Sequence, residues 1–113
     1  MYKYYFRPEY GSSELLIEFF HDVENDSFLS SLLNAISELK PKIGDITDLW
    51  MNDEILLNVT SEIGEFTISK DIWGFAFIIA KNNQECLSRI NSILKTKKNY
   101  EKVEVDFENY KLK

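Results

Sequence analysis

The sequence has one cysteine, one histidine, four glycines and two arginines. Each scarcity removes a class of chemistry. A single cysteine, Cys86, excludes an intrachain disulfide; with no secretory leader in view, the expected home is a reducing cytoplasm. One histidine, His21, leaves no imidazole cluster for a transition metal. The glycines form no GxGxxG motif or P-loop, and HExxH is missing too. The longest apolar run, "GFAFIIA" at residues 74–80, is far short of the ~20 residues of a membrane helix. No repeat, low-complexity tract or domain linker interrupts the chain.

What is present is the composition of a globular protein. The 113 residues are 44% hydrophobic and 28% charged, which suits one domain over residues 1–113. Net charge is −6, unevenly spread. Residues 9–71 hold 14 acids and 3 bases, a net −11, whereas residues 72–113 carry a net +3 and residues 1–8 a net +2. An acidic middle argues against nucleic acid, because phosphate contacts need clustered Lys and Arg. It favours a basic partner, or serves solubility alone.

Periodicity places the elements. "MYKYYF" alternates, with Tyr2, Tyr4 and Phe6 on one face, and "ELLIEFF" (14–20) does the same. Pro8 and Gly11 mark a turn between them, so the two runs are expected to pair as a hairpin. Phe28, Leu32, Ile36 and Leu39 then make a helical stripe, predicting a helix over 27–40 that is capped by Asn25 or Asp26 and ended by Pro41. Strands follow at 45–51, 54–60, 65–70 and 75–80, the first two joined by a tight turn at Asn52-Asp53. The last of these is apolar on both faces and belongs mid-sheet. Leu87, Ile90 and Leu94, flanked by Cys86 and Ile93, make a second helix with a capping signal at Asn82 and Glu85. "YEKVEVDFENYKL" alternates as a final, edge-like strand with Val103, Val105 and Phe107 inward. The predicted class is α+β: an antiparallel sheet of hairpins carrying two helices, in the order ββ-α-ββββ-α-β.

Chemistry is sparse. His21 precedes Asp22, but no nucleophile falls at a useful spacing, so a solvated strand-end histidine is expected. Cys86 sits in a first helical turn, yet on the apolar stripe, which makes it a core residue. Asp22, Glu24 and Asp26 alternate as in a calcium loop but lack its central glycine and closing glutamate. No catalytic residue, metal ligand or cofactor is therefore expected, and the chain reads as a non-enzyme. A carboxylate pair such as Glu18 and Asp22 is the one hydrolytic arrangement left open.

Surface recognition is the reading that remains. In "ITDLWMNDE" (46–54), a large indole stands among carboxylates. An aromatic ringed by charge is the composition of an interface anchor with a steering rim. The expected contact set is Asp45, Asp48, Trp50, Asn52, Asp53, Glu54, Glu62, Glu65, Asp71 and Trp73. The plainer alternative is that both tryptophans cap the core and the acids face water.

The short, acidic, aromatic-rich chain is poor in arginine and lacks a catalytic motif; residues 71–94, "DIWGFAFIIAKNNQECLSRINSIL", read as a strand followed by a helix. In this overall character it resembles the immunity proteins of bacterial toxin systems, including those of contact-dependent growth inhibition. The resemblance implies a cytoplasmic protein that binds and blocks one cognate toxin, often a nuclease, whose phosphate-holding surface is basic. It carries over no site residues. A different class is an α+β domain that binds a small molecule or peptide, possibly as a dimer joined through an edge such as "EKVEVDF".

Overall fold

Hairpin-forming runs dominate the chain, and they assemble into a single sheet. The computed structural model describes residues 1–111, with the backbone alone at Asn52. Its strands are β1 (Tyr2–Pro8), β2 (Leu15–His21), β3 (Lys42–Leu49), β4 (Glu54–Ser61), β5 (Gly64–Asp71), β6 (Ala76–Ile79) and β7 (Tyr100–Lys102). The helices are α1 (Phe28–Ala35) and α2 (Gln84–Leu94). Strand order is β3-β4-β5-β6-β2-β1-β7. The α+β class and the element order agree with the sequence pattern, and β6 takes the central position its two apolar faces require.

Alternation decides which face is buried. Tyr2 and Tyr4, Ile17 and Phe19, Leu57 and Val59, Phe66 and Ile68, and Ala76 and Ile78 form the strand side of the core. Against them pack Phe28, Leu32, Ile36 and Leu39 from α1 and the turn after it, with Leu87, Ile90 and Leu94 from α2. Phe19 and Tyr2 each meet the Phe28 ring edge-on, at 5.2 and 5.3 Å between centroids. Such pairs add ~0.5–1.5 kcal/mol to the burial of the rings.

Several details depart from the expectation. The sheet is not wholly antiparallel: β7 runs parallel to β1, pairing Tyr2 with Tyr100 and Tyr4 with Lys102. The final strand is short, and Phe107–Tyr110 forms a 3-10 turn with Phe107 exposed. Its ladder ends because the chain folds back: Tyr110 packs at a tilt against Tyr10, and the Gly11 N–H bonds the Tyr110 carbonyl at 2.6 Å. Leu112, the end of the predicted run, lies outside the described residues.

Helix α1 stops at Ala35, not 40, and tightens into a 3-10 turn at Ser37–Leu39. Pro41 bars helical geometry at Lys40, which adopts a left-handed φ of 51°. Neither Asn25 nor Asp26 caps α1; Ser27 holds the cap position, and Asn25 Oδ1 accepts its N–H in a turn ahead of the helix. At α2 the cap position is Asn83, whose side chain donates to the Ile63 carbonyl at 2.8 Å instead.

Strand β3 also begins earlier than expected, at Lys42, and ends before Trp50. One extra residue between Ile43 and Ile46 makes a bulge. The β3–β4 connection is a 3-10 turn, Trp50–Asn52, followed by Asp53 at φ 53°, rather than a two-residue turn.

Candidate functional site

Strand pairing decides which of the expected contact residues meet. Glu54, at the start of β4, lies opposite Asp71, at the end of β5. The Trp50–Asp53 turn and the Asp71–Phe75 connection therefore share one end of the sheet. Asp71 builds its own turn: its Oδ1 accepts the N–H groups of Trp73 (2.9 Å) and Phe75 (3.0 Å). Gly74, at φ 88°, completes it, and a side chain there would meet Glu24 Oε2 at 3.3 Å. That contact places the carboxylate of the β2–α1 loop at the same end.

Four large apolar side chains stand in solvent at this end. Trp50 is 73% exposed, Met51 80%, Ile72 70% and Trp73 63%. Neither indole caps the core. Asp48 and Asp53 are exposed beside them. Glu54 and Asp71 are half-buried and already engaged, Glu54 accepting the Ser69 hydroxyl at 2.7 Å. They shape the end of the sheet more than they rim it.

The other expected acids lie elsewhere. Glu62 sits in the opposite turn, paired with Lys40 at 3.2 Å, and Glu65 opposes Thr60 near that same end. Glu54 and Ser61 are the two ends of the eight-residue strand β4, a span of about 23 Å. Asp45 lies in the β3 bulge between the two ends. The Asn52 side chain lies outside the described residues. The contact set thus has Asp48, Trp50, Asp53, Glu54, Asp71 and Trp73 at one end, and Asp45, Glu62 and Glu65 away from it. Met51 and Ile72 join the first group without having been expected. Their signal is an apolar residue inside a turn, where no face is available to bury it.

No family model, curated protein or solved structure matches this chain.

Other chemistry finds little footing. His21 is exposed at the end of β2, its Nδ1 2.8 Å from the Met1 carbonyl and 3.2 Å from Asp22. The Asp22 carboxyl is held below its ordinary range chiefly by its hydrogen bond to the Met1 ammonium. Cys86 is buried, and desolvation pushes its thiol up against a smaller opposing effect of Ser61, the reverse of a poised thiolate. Among the described residues, no three His, Cys, Asp or Glu side chains gather in a metal-holding group, and no helix is long and apolar enough to cross a membrane.

A cleft of about 910 Å³ lies over the β4–β5 turn, lined by Asp45, Asn58, Thr60, Glu65, Thr67 and Lys81 among others. A second, of about 390 Å³, lies between α2 and the turn after α1, bordered by Glu38, Glu62, Glu85 and Arg89. Neither is the apolar pocket between helices and sheet that a small-molecule site would call for.

Proposed function

We propose that this protein is a neutralising binder of a basic protein partner, an immunity protein of the bacterial toxin type, docking through the Trp50–Trp73 end of its sheet. The observation that carries the reading is the gathering of four exposed large apolar side chains beside Asp48 and Asp53. Exposed apolar groups massed in one place, with charge around them, mark interaction sites. Tryptophans are the commonest anchors in such sites, and carboxylates beside them speed encounter with a cationic surface. A nuclease toxin presents such a surface, because it must hold phosphates. Occupying that surface blocks substrate without any catalytic group on the inhibitor, which suits a chain so poor in catalytic residues.

The test is binding to a basic toxin domain encoded beside this protein. Titration calorimetry on wild type, Trp50→Ala, Trp73→Ala and an Asp48→Lys/Asp53→Lys double variant gives the answer. Each tryptophan substitution is expected to weaken binding by about 2 kcal/mol or more, roughly thirtyfold. Charge reversal is expected to weaken binding at low salt and to flatten the salt dependence of the affinity. Binding indifferent to all three changes overturns the reading.

A further inference from the structure

Strand β3 is the long open edge of the sheet. Lys42 to Asp48 are all exposed and Leu49 is half-exposed. At the opposite edge, β7 has only three residues before the chain folds back. An exposed edge offers a row of unpaired N–H and C=O groups to another strand.

The side chains beside this edge are not neutral to what joins it. Cross-strand partners share a face, and Ile43 pairs with Val59, Ile46 with Leu57 and Asp48 with Ile55. Leu57 and Val59 are core residues beneath the helices. Ile43, Ile46 and Ile55 thus extend the core face outward into solvent, at 42%, 63% and 41% exposure. Asp48 closes that strip on the same face. Asp45 sits in the bulge. With two carboxylates, Asp45 and Asp48, against one lysine, Lys42, the edge carries net negative charge, and a cationic strand is attracted to it.

We infer that β3 receives an extended, basic strand of the protein partner, added to the sheet at this edge. The strand sets an apolar side chain against Ile46 and, two positions along on the same face, a lysine or arginine against Asp48. Main-chain hydrogen bonds supply affinity and the alternating side chains supply register. The inference rests on the reading of a basic protein partner and adds to it the way that partner is held.

The probe is a capped peptide of alternating valine and lysine, about eight residues to match β3. Its control has the same sequence with every backbone amide N-methylated, which keeps the charge and removes the strand donors from both edges. Binding is followed by amide hydrogen exchange on the whole protein. The unmodified peptide is expected to slow exchange at residues 42–49 by about tenfold or more, and the control is not. Asp48→Lys is expected to weaken the peptide about tenfold. Ile46→Ser, at an exposed position, gives a second variant whose fold is not at risk, and it too is expected to weaken binding. Equal binding of the N-methylated control, or protection elsewhere in the molecule, overturns the inference. If the peptide fails in this way while a basic toxin still binds through Trp50 and Trp73, strand addition is wrong and the docking reading stands. If the peptide protects β3 while the toxin ignores both tryptophan substitutions, strand addition is supported and the docking reading alone fails.

Discussion

Arg7 donates from Nε to Glu18 Oε1 at 2.7 Å, across the β1–β2 hairpin and on the sheet face away from the helices. Both side chains are nearly buried, 9% and 14% exposed. The guanidinium also donates to the Pro8 carbonyl and lies 5.2 and 5.0 Å from the ring centroids of Tyr10 and Tyr110. Removing one partner strands the other charge in a site made for two. Glu18→Ala is expected to cost about 3–5 kcal/mol in urea unfolding, and the double replacement Arg7→Met/Glu18→Leu considerably less. Equal losses in the two proteins would show that packing, not charge pairing, holds this face.

Tyr4 is fully buried, and its hydroxyl donates to Asn91 Oδ1 at 3.0 Å, tying β1 to α2. Burial, with a smaller effect of the Glu104 charge, pushes its phenol up to about 12 from an unfolded value of 10.0. The folded state therefore keeps a proton that the unfolded chain releases first. The stabilisation is complete below pH 10 and is lost as pH rises from there through about 12. In Tyr4→Phe this alkaline decline should shrink. Near neutral pH the same variant should be less stable by about 1–3 kcal/mol, because the buried Asn91 carbonyl loses its donor. Denaturant midpoints measured across pH check both.

Gly64 opens β5 at φ 106°, and a Cβ there would lie 2.5 Å from Asn83 Nδ2, which holds the Ile63 carbonyl. Gly64→Ala has both a strained backbone and a displaced amide to absorb. A loss of more than about 1 kcal/mol is expected. Asn83→Ala should recover part of the steric share when combined with it, which a double-mutant cycle reads directly.

Trp50, Met51, Ile72 and Trp73 face solvent, so their truncation should leave stability within about 0.5 kcal/mol of wild type. Thermal or urea unfolding of Trp50→Ala and Trp73→Ala checks this. A large loss would mean the indoles hold the turns together and would remove their availability as anchors.

Local pattern was a good guide wherever one face of an element is buried. The stripe Leu87, Ile90 and Leu94, the alternation of Tyr2 and Tyr4, and the two apolar faces of β6 each declared their environment. Helix ends were harder to read. The side chains suited to capping had better partners across the fold, as Asn83 has in the Ile63 carbonyl. The candidate site is partly legible: Trp50 and Trp73 stand out as indoles in turns, and Met51 and Ile72 carry the same turn signal, but no local mark sets Glu62 and Glu65 at the opposite end of the sheet.

The sequence by itself determined the fold class, the element order and most of the residues that line the core, though not at the C-terminal strand, where Val103 and Val105 are only half-buried and Phe107 is exposed. Periods of two and 3.6 are local properties, and they sort side chains into wet and dry faces before any contact forms. Tertiary structure alone decided that Glu54 faces Asp71, that both indoles stay in solvent, and that β3 is a long open edge while β7, at the other edge, ends after three residues. Those outcomes depend on which strands pair, at what register and in which direction, and such pairings join residues far apart in the chain that carry no local mark of one another.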